Sequence, residues 1–256
     1  NNPNRIHSYV NGTLIRDSLG LFQKKEHSVN YLESHDGYTL GDFIRLGTKE
    51  TGENQLIKDV DSFVKLSPLQ MKLNKLAALF LFTSQGITMI HSGQEFARTK
   101  VIPLSVDAPD TNRGKIDYNT YDKDNEVNAI NYRHAKTNQE LLDYYTGLIS
   151  VRNTFDAFRK ANYNDITFLA NDNNNFFLGY SLNYKDDRFF VLMNADPNAN
   201  KEVILPEGNW EILVNPEFAG TKKLDVVSGK LVVPSTAGYV LKSGKPIPNP
   251  SRREGN

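Results

Sequence analysis

The sequence predicts an α/β unit followed by an all-β unit. Three observations carry that reading. Short apolar runs of strand composition alternate with capped helical patterns up to about residue 160. Beyond that point come "DITFLAN", "NFFLGYSL", "DRFFVLMNAD", "KEVILP", "WEILVN", "GKLVVP" and "GYVLKSG", short strand-like runs separated by turn-rich "NDNNN", "NYKDD", "ADPNAN" and "PEGN". The length, 256 residues, is enough for one large domain or for two of unequal size.

Taken in order, "SVNYLES" (28–34) is short and rich in apolar and aromatic residues, as strands are. A polar loop containing Gly41, Gly47 and Gly52 leads to a marked helix start. Ser67 is the expected N-cap, Pro68 takes the first helical position, and Gln70 completes a Ser-x-x-Gln capping box. Leu69, Leu73, Leu76, Leu79 and Phe80 follow helical spacing, and Gly86 supplies the stop. "ITMIH" (87–91) reads as the next buried strand. A long loop, 92–136, ends at a second expected capping box, Thr137-x-x-Glu140. The helix it opens carries Leu141, Tyr145, Leu148, Ile149 and Arg152 to about Phe155.

Repeated strand–loop–helix units build parallel sheets with right-handed crossovers. Two units cannot close a barrel, and would leave a sheet edge unpaired and apolar surface uncovered. The opening "NNPNRIHSYVNGTL" has no initiator Met and none of the composition of a signal peptide. The expectation is that the natural polypeptide begins upstream of Asn1, which leaves the compartment unset. The evenly spaced strands of the second part point to an antiparallel sandwich or barrel. The expected division is 1–160, 161–245, and a Pro- and charge-rich tail, 246–256, without fixed structure.

Composition narrows the function classes. Thirty basic residues balance thirty acidic ones, so no net field draws in nucleic acid or an anionic membrane. The absence of cysteine removes disulfides, thiolate metal sites and cysteine nucleophiles. The most apolar run, "LAALFLF", is far short of the roughly 20 residues a membrane span needs.

In parallel βα folds, reactive side chains gather where strands end and the next loops begin. His35 and Asp36 occupy that place after the first strand; His91, Gln94, Glu95 and Arg98 occupy it after the second. A carboxylate there can accept hydrogen bonds from substrate hydroxyls or stabilise a developing positive charge. His35 can donate to a hydroxyl, and Tyr38 can stack on an apolar sugar face. The same residues also fit a loop hydrogen-bonded for structural reasons, and Glu95 could close an ion pair with Arg98. "HSGQ" sets a serine beside a histidine, but no GxSxG motif accompanies it. Asp122, Asp124 and Glu126 alternate as in a calcium loop without its glycine, so a solvated acidic loop is the better reading and a structural calcium stays compatible. No organic cofactor is expected.

"VNYLESHDGYTLGDF" resembles the fourth conserved region of the α-amylase superfamily, glycoside hydrolase family 13. "GITMIHSGQEFARTK" is similar to the eighth strand and following loop of its debranching members, and "YDKDNEVNAINY" to a segment that follows in pullulanases and isoamylase-type enzymes. "VVPSTAGYVL" resembles the close of the C-terminal sandwich. The resemblance implies a (β/α)8 barrel, of which this chain holds strands 7 and 8, followed by an antiparallel β-sandwich. It implies retaining hydrolysis of α-glucosidic bonds by a nucleophile, an acid and a third carboxylate. Asp36 matches the third carboxylate, the transition-state stabiliser, and His35 the histidine that holds the same sugar. Tyr38, Glu95 and Arg98 are expected to line the substrate site. The nucleophile and the acid lie on strands outside this sequence, so the chain alone is expected to be inactive and to need the upstream part of its own polypeptide. Gly37-Tyr38 is similar to the isoamylase branch, while "GQEFARTK" is nearer the pullulanases. The expected substrate is an α-glucan cut at α-1,6 branch points. The alternatives are an α-1,4-acting or transglycosylating member and a non-catalytic carbohydrate-binding module.

Overall fold

The computed structural model describes residues 3–16, 19–105, 111–123, 128–170 and 176–243. The first part runs α1 (Pro3–Val10), β1 (Val29–Asn30), α2 (Leu40–Gly47), α3 (Val60–Phe63), α4 (Pro68–Thr83) and β2 (Ile87–Thr88). It continues with α5 (Arg133–Thr137), α6 (Gln139–Thr154) and α7 (Ala157–Lys160). Strands β1 and β2 pair in parallel, Val29 opposite Ile87 and Asn30 opposite Thr88. Both are shorter than the runs 28–34 and 87–91 that announce them. A ladder extends only where a neighbour lies alongside, and among the described residues each strand has one. One face of the pair is uncovered: Val29, Tyr31, Ile87 and Met89 are between 39% and 54% exposed.

The first capping box forms as the sequence predicts. Ser67 Oγ accepts from the Gln70 N–H at 3.2 Å, and Gln70 Oε1 accepts from the Ser67 N–H at 3.1 Å. The buried stripe of α4 differs from the expected one: it falls on Asn74, Lys75, Ala78, Leu79 and Phe82, while Leu69 is exposed. The polar members are satisfied internally, Asn74 on the Gln70 carbonyl and Lys75 Nζ on Glu140 and the carbonyls of Pro216 and Glu217. The helix ends at Thr83, ahead of Gly86.

The second capping box does not form. Thr137 closes α5, and Asn138 precedes α6 without a side-chain cap. Asn138 instead accepts from the Leu66 N–H and donates to the carbonyls of Val64 and Phe96. Glu140, the would-be partner, is taken by Lys75 at 2.6 Å. Buried loop backbone left without partners costs more than an exposed helix end, so the loops win the side chain.

The second part contains β3 (Ile166–Phe168), β4 (Phe177–Tyr184), β5 (Asp187–Asn194), β6 (Lys201–Ile204), β7 (Trp210–Val214), β8 (Asp225–Val227), β9 (Lys230–Val233) and β10 (Ala237–Ser243). Six of them form an antiparallel sheet in the order β3-β4-β5-β10-β7-β8, and β6 pairs with β9 separately. Alternation along β5 shows how the layers stack. Phe189, Val191 and Met193 join the core formed with α4, α6 and α7; Phe190 and Leu192 join the core shared with Val203, Leu205 and Val233 around the β6–β9 pair. Because both sides are covered, every residue from Phe189 to Asn194 is buried. The tail 246–256 lies outside the described residues.

Candidate active site

At the end of β1 the chain enters a loop whose backbone is pinned from beneath. Glu33 is buried; its Oε2 accepts from the Leu40 N–H at 2.6 Å, and its Oε1 lies 3.2 Å from His91 Nδ1 at the end of β2. Thr39 caps α2 by accepting from the Asp42 N–H at 3.0 Å, and its hydroxyl donates to the Arg98 carbonyl at 2.9 Å. Asp42 accepts from Arg45 at 3.1 Å and from the Lys100 N–H at 2.7 Å. Lys100 Nζ donates to the carbonyls of His35 and Gly37, each at 2.8 Å. Burial holds the Lys100 amine below its ordinary value, reinforced by Arg98.

With the carbonyls turned in, the side chains point out. The His35 and Asp36 side chains are 72% and 69% exposed, with Nε2 3.6 Å from the carboxylate. Gly37 takes φ +68°, where a side chain would be strained, and its open side faces the Tyr118 ring. Tyr38 meets Tyr118 edge to face, centroids 4.9 Å apart, and packs on Ile57, Val101 and Ile116. Burial pushes the Tyr38 phenol up, helped by Glu53, Asp117 and Asp42.

His35, Asp36 and Tyr38 therefore share one exposed loop. Glu95 sits apart, accepting from the Gly93 N–H at 2.9 Å, and makes no ion pair with Arg98 among the described residues. Arg98 is buried with its stem against Gly93, and it lines a separate cavity of about 610 Å³ that His35, Asp36 and Tyr38 do not line. Sequence reasoning missed Lys100 and Tyr118. Neither carries a spacing signal, because each reaches the loop through tertiary packing. Asp122 is exposed, Asp124 and Glu126 lie outside the described residues, and no group of acidic or histidine residues among the described ones could hold a metal. Nor is any described helix long and apolar enough to cross a membrane. Chemically, the loop offers an open carboxylate beside an imidazole and two aromatic rings, a surface suited to accepting and donating hydrogen bonds with hydroxyl groups.

No protein-family model matches the chain. The pullulanase of Bacillus subtilis is 29% identical over 139 residues, 54% of this chain and 16% of that protein. The glycogen debranching enzyme of Pectobacterium carotovorum is 26% identical over 241 residues, covering 80% of this chain and 33% of that protein. In fold, the pullulanase of Bacillus acidopullulyticus superposes with a TM-score of 0.73 at 25% identity, over 95% of this chain and 27% of that one. The chain's relatives are pullulanase-type debranching enzymes. A second pullulanase, from Paenibacillus barengoltzii and solved in complex with maltohexaose and α-cyclodextrin, matches with a TM-score of 0.69 over 94% of this chain. The chain spans between 16% and 33% of the length of the two pullulanase and debranching relatives compared by sequence.

Proposed function

We propose that this chain is part of an α-glucan debranching enzyme that hydrolyses α-1,6 bonds with retention, and that Asp36 is its transition-state-stabilising carboxylate. The observation that supports this is the exposed His35–Asp36 pair on a loop held by Lys100 and Glu33, at the end of a parallel strand pair. An exposed carboxylate on a fixed backbone can hold sugar hydroxyls and favour a distorted ring without moving. His35 holds the same sugar, and Tyr38 extends the substrate surface. In this reading the parallel pair is strands 7 and 8 of a (β/α)8 barrel, and the second part is the C-terminal sandwich. The apolar face of Val29, Tyr31, Ile87 and Met89 then belongs to the barrel interior, and the nucleophile and acid come from other strands of the same polypeptide.

Two measurements test the proposal. In the natural polypeptide, Asp36→Asn should lower kcat on pullulan by about a hundred- to a thousandfold, as loss of an electrostatic stabiliser does. The 256-residue chain alone should show no turnover. Robust hydrolysis by this chain, or full activity of the Asp36→Asn variant, would sink it.

A further inference from the structure

The cavity lined by Arg98 lies between the segment that carries α3 and the loop leading into α5. Lys58, Asp59, Asp61, Arg133 and His134 also contribute to it. Its two carboxylates are occupied. Asp59 caps α3, accepting from the Ser62 N–H at 3.0 Å and from its hydroxyl at 2.6 Å. Asp61 lies 2.8 Å from His134 Nε2 and also receives Asn131. The cations are less well matched. Lys58 is exposed and makes no ion pair among the described residues, and Arg133 bonds only the Asn131 side-chain oxygen, at 3.3 Å.

Arg98 is the decisive residue. It is 6% exposed, yet no hydrogen bond or ion pair reaches its guanidinium among the described residues. The surrounding buried charges do not supply a partner. Glu33 and Asp42 attract it at longer range, but Glu33 is bonded to Leu40 and His91, and Asp42 to Arg45 and Lys100. Arg45 and Lys100 each find backbone carbonyl acceptors. A third buried carboxylate, Asp117, is bonded to Lys123, so of these three buried cations Arg98 alone is left without an acceptor among the described residues. Burial alone already holds Arg98 below its ordinary value. With most of its surface withdrawn from water and no acceptor among the described residues, the Arg98 guanidinium gains from an acceptor at the cavity, and its fork geometry matches an oxyanion.

We propose that this cavity binds a phosphate-type oxyanion through Arg98, with Lys58 and Arg133 at its mouth. The cavity volume is within the usual range of roughly 300–1,000 Å³ for small-molecule sites, large enough for a phosphorylated sugar as well as free phosphate. The cavity and its charges carry this inference, and it does not depend on the glucan reading.

Isothermal calorimetry on the 256-residue chain with inorganic phosphate, glucose 6-phosphate and maltose tests it. Saturable binding of phosphate or glucose 6-phosphate, weakened about tenfold in Lys58→Glu, is expected for the loss of one favourable charge contact. Arg98→Gln should abolish binding, and because Arg98 is buried, its circular dichroism and Tm are read alongside. Lys58→Glu, at an exposed position, keeps the test valid if Arg98→Gln does not fold. Tighter binding of glucose 6-phosphate assigns the anion to a sugar ester, and equal binding assigns it to free phosphate. Both outcomes support the site. Absence of heat with both anions, binding unchanged in Lys58→Glu, or maltose binding as tightly as glucose 6-phosphate overturns it.

Discussion

Asp42 is fully buried, and both its carboxylate oxygens are engaged, one by Arg45 and the other by the Lys100 N–H. Asp36, on the same loop, is exposed and bound only loosely to His35. The same side chain therefore holds the loop at one position and is free to meet a ligand at the other. Truncation should separate them. Asp42→Ala leaves the Arg45 guanidinium buried beside an empty place and should cost roughly 3–5 kcal/mol. Asp36→Ala should stay within about 0.5 kcal/mol, as surface changes do. Urea unfolding of the two variants measures the difference, and equal losses would contradict this division of roles.

At the scale of the element, α6 illustrates the contest between local preference and packing. Gly147 sits in its middle, where alanine would favour the helix by about 1 kcal/mol. A Cβ placed there would lie 1.9 Å from the Ala219 carbonyl oxygen, in the turn after β7. The helix approaches the sheet closely because it lacks that atom. Gly147→Ala should therefore destabilise, by about 1–3 kcal/mol as overpacked sites do, and differential scanning calorimetry would show a lowered Tm. A raised Tm would mean that propensity outweighs the contact.

Across the whole molecule, three buried tyrosines fasten helices to strands and loops. Tyr180 on β4 donates to the Thr83 carbonyl at the end of α4, and Tyr144 on α6 donates to the Asn215 carbonyl after β7. Tyr145 accepts from Gln94, near the start of the long loop 92–136. Burial pushes all three phenols well up from the ordinary value. The folded state thus retains protons that the unfolded chain gives up near pH ~10. Their stabilisation is complete below that pH and is lost as pH rises above it toward the folded values. In an alkaline titration, these three of the twelve tyrosines should ionise only together with loss of the circular dichroism signal. Tyrosinate absorbance reaching its full value while the fold persists would refute this.

Local chemistry was enough to announce the βα order, the Ser67 capping box and the turn-separated strands, because these depend on neighbours in sequence. It also singled out the His35–Asp36 loop, since a strand that ends in ionisable side chains is visible without a fold. It did not reveal that α4 buries Asn74 and Lys75 instead of Leu69, nor that Asn138 serves three loop groups and leaves the end of α6 uncapped. It could not show that Asp42 is buried while Asp36 is exposed, or place Lys100 beneath the loop and Tyr118 beside it. Those assignments depend on which buried backbone group or charge lacks a partner, and distant segments create that need only when they pack together. By itself the sequence determined the parallel strand pair, the two long helices α4 and α6, seven of the eight described strands of the second part and the loop that carries the candidate site. Only the tertiary structure decided which polar groups are buried, because desolvation acts on side chains according to what surrounds them.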